Sequence, residues 1–442
     1  MKKKKLYIET YGCQMNFSDS EIIASVMQHN DYELTETMNK ADVILVNTCA
    51  IRDNAERRVF GRIQEFRKIK QNKPGTTIGV VGCMAERLKE DLLKSQKDID
   101  LIAGPDSYRN LPEMLEGIRE GQQMANVILS EEETYENIDP VRLDAKGISA
   151  FISIMRGCNN FCSYCVVPYT RGRERSRKPE SILKEAQDLY EKGYREITLL
   201  GQNVNSYNFK EGEKNLDFPE LLSQVAGTNK NMRIRFATSH PKDISDKLIQ
   251  TIAKTDNIPN AIHLPVQSGS TNVLQRMNRK YTREWYLNRI ATIRKYIPDC
   301  GITTDIIAGF CGETETDHQQ TLSLMEQAGY DFAFMFKYSE RPGTLAAKRF
   351  ADDVPEDVKN RRLQEIIRLQ QTLSGQSNAK DLNKTFTVLV EGPSKKDNDK
   401  MMGRNQQNKV IVFPASAALK GHYVKVKVTN YTSATLLGEL LS

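Results

Sequence analysis

The sequence predicts an α/β multidomain protein with three parts: an N-terminal parallel α/β sheet domain, a central partial (β/α)6 barrel and a small C-terminal antiparallel β-barrel. Three observations lead to this reading. Apolar strands alternate with helical segments over the first 100 residues. Six further strand-plus-helix units recur between residues 148 and 345. After a long helix the period changes to short alternating strands broken by Gly, Pro and Asn. At 442 residues the chain has room for about three domains.

In the first part, three strands each run into a cysteine: KLYIETYGC at Cys13, DVILVNTC at Cys49 and TIGVVGC at Cys83. The helical segments SDSEIIASVMQH and DNAERRVFGRIQEFRKIK lie between them. Alternation of this kind implies a parallel sheet, and ligands gather at the carboxyl ends of such strands. Three cysteines far apart in sequence are therefore expected at one edge. Residues 130–147, SEEETYENIDPVRLDAKG, are polar and predict a linker. The strands AFISIM, EITLLGQN, RIRFATSHP, AIHLPVQSGS, ITTDIIAGF and FAFMFKYS follow, with polar residues where each one ends. That is the pattern of a TIM-type barrel whose active site lies at the C-terminal face of its strands. PEDVKNRRLQEIIRLQQTLSGQ predicts a long helix opening at Pro355. TFTVLVEG, KVIVFP and GHYVKVKVTNYTS then predict the small β-barrel. The boundaries drawn are 1–129, 148–376 and 378–442.

Composition narrows the class. No run of 18 apolar residues occurs, so no transmembrane helix and no membrane partner are expected. The basic start MKKKKLYIET meets charge where a signal peptide has its apolar region, which predicts a cytoplasmic protein. Eight cysteines in that compartment point to metal or redox chemistry, not disulfides. From Asn378 onward there are ten Lys and Arg against five Asp and Glu, most of the chain's +6 net charge. A polyanion partner for the last part follows.

The stretch RGCNNFCSYCVVPYTRGRERSRKP places Cys158, Cys162 and Cys165 on one tight loop. Structural zinc takes four N or S ligands, and this loop has three cysteines and no histidine. An iron–sulfur cube held by three cysteines keeps one iron open, which is where a small molecule binds and reacts.

C-x3-C-x2-C with Tyr164 before the third cysteine resembles the cluster loop of radical S-adenosylmethionine (SAM) enzymes. There the open iron chelates SAM, and reductive cleavage yields an adenosyl radical. The resemblance extends along the whole chain. The three parts, with RGCNNFCSYCVVPYTRGRERSR, LLGQNVNSY, LPVQSGS and YSERPGT, resemble the radical SAM methylthiotransferase family, and GRNQQNKVIVF resembles the RNA-binding TRAM domain of its tRNA-modifying branch. One departure is Cys311, in DIIAGFCGETE, where the family usually has Pro. Cys300 and Cys311 fall outside both triplets; the reading taken is a small residue filling a turn, with a fourth-ligand role as the alternative.

The resemblance implies two 4Fe-4S clusters. Cys158, Cys162 and Cys165 would hold the one that binds SAM, and Cys13, Cys49 and Cys83 an auxiliary one that donates sulfur. It implies insertion of a methylthio group at carbon 2 of N(6)-dimethylallyl-adenosine at position 37 of tRNA, with two SAM molecules consumed. The implied partners are the anticodon stem-loop of tRNA, an electron-donor protein and an iron–sulfur or sulfur carrier, and not DNA. Sister branches act on threonylcarbamoyl-adenosine of tRNA or on an aspartate of a small-subunit ribosomal protein. An RNA-binding protein with structural clusters is the reading from another class.

Polar residues at the strand ends nominate Gln202, Ser239 and Gln267 for SAM, with Tyr164 near the adenine or packed under the loop. His240 and His263 are read as local hydrogen-bonding residues. The alternating arginines Arg171, Arg173, Arg175 and Arg177 are candidate phosphate contacts, with Arg404 and Lys409 in the C-terminal part. Phe413 and Tyr423 are either stacking partners there or core.

Overall fold

The computed structural model describes residues 3–50, 53–119, 123–144 and 147–441. The N-terminal sheet contains β1 (Lys4–Tyr11), β2 (Tyr32–Leu34), β3 (Val43–Thr48), β4 (Thr77–Val81), β5 (Leu101–Ala103) and β6 (Met124–Asn126). They pair in parallel in the order β2-β1-β3-β4-β5-β6. Every residue of β3 is buried, as its unbroken apolar run requires of a strand covered on both faces. One layer packs Leu6, Leu45 and Tyr108 against Ile23 and Met27 of helix α1 (Gln14–Gln28). The other packs Ile44, Val46 and Ile78 against Val59 and Phe66 of α2 (Asp53–Asn72).

Register explains where the cysteines go. Tyr11 lies beside Thr48, and Asn47 beside Val81. Cys13, Cys49 and Cys83 each follow within two residues, so all three stand on the same sheet edge. The first helix begins earlier than the segment SDSEIIASVMQH, with Cys13 itself as N-cap and Asn16 closing the capping box. The opening residues of that segment, Ser18, Asp19 and Ser20, are buried.

Of the segment 130–147, the described residues 130–144 are not a solvated linker. The Tyr135 ring is 2% exposed and stacks on Tyr108 at 5.6 Å, and its hydroxyl donates to the Pro105 carbonyl. Arg142 bridges Glu21 of α1 and Glu185 of the barrel at 2.7 and 2.5 Å. The polar composition reflects ion pairs across an interface, so this segment straps two domains together.

In the barrel, Ser149–Ser153, Glu196–Leu200 and Arg233–Ala237 form one parallel sheet, and Ala261–His263, Gly301–Ala308 and Phe332–Lys337 a second. Helix Glu356–Ala379 closes over the last strand, burying Ile366, and leads to a closed five-stranded barrel. Two of those five strands, Lys400–Arg404 and Leu436–Leu440, escaped the sequence reading because their glycines interrupt the alternation.

The turn Arg404–Lys409 of this small barrel docks on the N-terminal ends of the central strands. Arg233 donates to the Arg404 carbonyl at 2.8 Å, Gln407 to Asp299 at 2.7 Å, and a side chain at Gly301 would strike the Gln407 carbonyl. Of the candidate RNA contacts Arg404 and Lys409, the second is thereby corrected. Arg404 is paired with Glu391, and Lys409, 11% exposed, is held by Asp381 at 2.7 Å and Asp331 at 3.2 Å. Lys409 ties the small barrel to the central domain, whereas the Arg404 side chain, 35% exposed, pairs within the small barrel. Phe413 is core, and Tyr423 lies under Arg233.

Candidate active site

The two cysteine triads meet where the N-terminal sheet edge faces the C-terminal ends of the barrel strands. A glycine lets each triad close upon itself. At Gly12, φ +135°, a Cβ would lie 2.6 Å from that of Cys49. At Gly157, φ +78°, it would collide with the Arg173 carbonyl. Neither conformation suits a residue with a side chain. A hydrogen bond with Cys49 holds the Cys13 thiol down to about 6. Burial pushes Cys83 up, and Cys158 up to about 11.

N–H donors face one sulfur of each triad, Cys162 and Cys83. Arg279 Nη1 lies 3.3 Å from Cys162 Sγ and His240 Nε2 4.0 Å from the same atom. The His240 Nδ1 accepts from the Lys242 amide, and burial pushes the imidazole down to about 2, so its proton sits on Nε2 and points at the sulfur. At the other triad, Arg171 Nε lies 3.1 Å from Cys83 Sγ. Arg171 stands six residues after Cys165, on the short helix Val167–Arg171. The loop of one triad thus supplies a contact to the other. None of the eight cysteines is in a disulfide. Three sulfurs at each place, with cationic and neutral donors turned on them, suit thiolate ligation of an iron–sulfur cluster.

Three family models cover the chain: uncharacterized protein family UPF0004 over residues 5–104, the radical SAM superfamily over 152–325 and the TRAM domain over 380–441. Curated tRNA-2-methylthio-N(6)-dimethylallyladenosine synthases align over 99% of it. The one from Phocaeicola vulgatus is 57% identical and 96% covered, and that from Porphyromonas gingivalis W83 is 53% identical and 95% covered. The chain belongs to this family of radical SAM methylthiotransferases. Among solved structures, the radical SAM methyltransferase TsrM from Kitasatospora setae matches with TM-score 0.58 at 11% identity, over 78% of this chain and 77% of that one. At that identity the likeness concerns the fold.

The rim around the C-x3-C-x2-C loop holds unsatisfied polar groups. Both amide atoms of Gln202 are buried without a partner, as are Ser153 Oγ and Asn205 Nδ2. Register puts Ser153 beside Leu200, and Leu200 beside Ala237, so these groups share one level at the strand ends. A buried polar atom without a protein partner is one for a ligand or a water to complete. The number and variety of such atoms here suit a ligand with amine, carboxylate, ribose and base, as SAM has. Ser239 donates to Asn205 Oδ1 at 3.2 Å. Gln267 continues the sheet beside Ile306 with φ +73°. The Tyr164 ring packs edge-on to Phe310, with its hydroxyl 3.5 Å from Arg279, in a packing position under the loop. Cys311 packs with Phe310 and Tyr338, and Cys300 lies in the barrel core.

The arginine run divides three to one. Arg171 and Arg175 are committed to Asp19 and Asp106 at 2.7 and 3.0 Å, and Arg177 to Glu185 at 2.5 Å. All three are buried, which removes them as phosphate contacts. Arg173 alone of the four faces outward. It covers Phe161, which meets Tyr169 edge-on at 6.2 Å, and Lys348 covers Tyr169. This cationic and aromatic strip runs from the cluster loop to Lys348 on the helix Leu345–Arg349. Sequence reasoning missed Arg279, Phe161, Tyr169 and Lys348. An arginine in RMNRKYT with no acidic neighbour, and an aromatic between two motif cysteines, were the available signals.

Proposed function

We propose that this chain inserts a methylthio group at carbon 2 of N(6)-dimethylallyl-adenosine at position 37 of tRNA. One observation carries the reading: Arg171, from the loop of the SAM-type triad, is hydrogen-bonded to Cys83 of the other, so the two triads belong to one site. In this reading Cys158, Cys162 and Cys165 hold one 4Fe-4S cluster and Cys13, Cys49 and Cys83 the other. When bound, these groups and SAM supply radical activation of a C–H bond and the sulfur to be transferred.

The protein's own residues bind, orient and exclude water. Gln202, Ser153 and Asn205 receive the polar groups of SAM, with Ser239 and Gln267 shaping the same rim. Asn203, donating to Asp243 and accepting from the His240 amide, ties two strand-end loops together and fixes the His240 ring. Phe161 and Tyr169 offer faces to unstacked bases of the anticodon loop, while Arg173 and Lys348 meet its phosphates. Among the described residues no helix is long and apolar enough to cross a membrane. Action in the cytoplasm, with an electron-donor protein and a sulfur carrier, completes the proposal.

The test uses the full chain, reconstituted with iron and sulfide without oxygen, then reduced and given SAM and tRNA carrying the dimethylallyl group. Nucleoside mass spectrometry should show the methylthio adduct, absent in Cys13→Ala although SAM is still cleaved. SAM cleavage with an adduct only on threonylcarbamoyl-adenosine would move the chain to the sister branch. Loaded protein that never cleaves SAM would end the enzymatic reading.

A further inference from the structure

Beside each cysteine triad the buried positive charges outnumber by one the carboxylates paired with them. Arg279 is 4% exposed. Its Nε donates to the Tyr281 hydroxyl at 2.9 Å and Nη2 to the Pro265 carbonyl at 2.6 Å. Nη1 reaches Cys162 Sγ at 3.3 Å and the Tyr164 hydroxyl at 3.5 Å. Among the described residues none of its hydrogen-bond or ion-pair partners is an Asp or Glu.

The other triad shows the same imbalance in a larger network. Arg156, Arg171 and Arg175 share two carboxylates, Asp19 and Asp106, all five side chains being buried. One positive charge is left over. Arg171 is the member that touches a cysteine, and its Nη1 is buried without a partner. The neighbouring carboxylate Glu86 has its own cation, Lys89, at 4.0 Å.

A guanidinium buried without a counter-ion is strongly unfavourable, so an anion belongs opposite each one. Three thiolates on an iron–sulfur core of two positive charges leave one negative charge, which matches the surplus at each triad.

We propose that Arg279 and Arg171 are the counter-ions of two anionic clusters, one cation for each. Both are positioning residues that hold the reduction potential of their own cluster up. The physical reason is that reduction adds a further negative charge to a group in a low-dielectric site, which a fixed neighbouring cation favours. This inference rests on the two-cluster reading above.

The experiment is an anaerobic redox titration followed by electron paramagnetic resonance, on the full chain loaded with iron and sulfide. Wild type is compared with Arg279→Gln, Arg279→Lys, Arg171→Gln and Arg171→Lys. The SAM-binding cluster is recognised as the one whose signal changes when SAM is added. Arg279→Gln should lower the midpoint of that cluster only, Arg171→Gln that of the other only, and each lysine variant should return most of the shift. Unmoved midpoints, equal shifts in both clusters, or lysine variants displaced as far as glutamine ones would overturn the assignment. So would loss of SAM affinity in Arg279→Gln with its midpoint intact, which would make Arg279 a ligand of the SAM carboxylate. If a glutamine variant sheds its cluster, the lysine variant decides: a retained cluster near the wild-type midpoint supports the proposal, and loss there too overturns it. Wild type that cannot hold two clusters overturns the proposed function itself, whereas loaded wild type with unmoved variants overturns only this inference.

Discussion

Arg156 Nη1 lies 2.9 Å from Asp19 Oδ1, with both side chains buried and each contributed by a different domain. Asp19 also accepts from Arg171 and from the Tyr108 hydroxyl. One carboxylate therefore fastens the N-terminal sheet to the barrel beside the two cysteine triads. Asp19→Asn keeps the shape and removes the charge, stranding two guanidiniums. Unfolding in urea should show a loss of roughly 3–5 kcal/mol, the usual cost of breaking a buried pair from one side. Protease cleavage within residues 130–147 should quicken as the strap loosens. An unchanged unfolding midpoint would show that Asp19 does not lock the domains together.

Gly157→Ala tests the cluster loop by geometry alone. A methyl there strikes the Arg173 carbonyl, and φ +78° is strained for any residue with a Cβ. The loop should fail to close while the N-terminal triad is untouched. Iron content after reconstitution should fall from about eight to about four per chain. Full loading would show that the loop tolerates the change.

Gln202→Leu should move stability and binding in opposite directions. Its amide is buried with no partner in the protein, so an apolar side chain relieves a penalty of about 1–3 kcal/mol in the free form. The thermal midpoint without SAM should rise, and SAM affinity by equilibrium dialysis should fall. A fall in both would mean that Gln202 supports the fold and not the ligand.

Two cations separate RNA contact from docking. Arg173→Ala should weaken tRNA binding and reduce the slope of log affinity against log salt by about 1. Lys409→Ala should leave that slope alone and lower stability by roughly 1–3 kcal/mol, because Asp331 and Asp381 lose their shared cation.

Tyr169→Leu should cost about 1–3 kcal/mol of tRNA affinity if its face stacks a base, with Tyr169→Phe retaining most of it. Equal losses in both variants would assign the effect to the hydroxyl.

Much of this site is legible in the amino-acid sequence. Cys158, Cys162 and Cys165 share one loop, so their proximity is a matter of spacing. Cys13, Cys49 and Cys83 can be grouped because parallel strands of matched register end at one edge, whatever the intervening helices do. The arginine run is different. Its charge is plain, but the carboxylates that claim Arg171 and Arg175 lie 152 and 69 residues away. No local pattern announces such pairings. The same holds for GRNQQNK, whose basic and amide side chains suit RNA as well as they suit the carboxylates and carbonyls at the barrel's base.

Periodicity and spacing along the chain suffice for the order of domains, the parallel sheet edge and the two cysteine triads. Each follows from a short-range pattern or from the geometry of a repeated unit. Which charges are spent inside the protein is settled in three dimensions. Arg173 faces solvent while its neighbours two residues away do not, and Arg279 is aimed at a sulfur from 117 residues along the chain. Desolvation is the reason: a buried charge must find its partner wherever the fold brings one, and that partner is set by packing, not by neighbours in sequence.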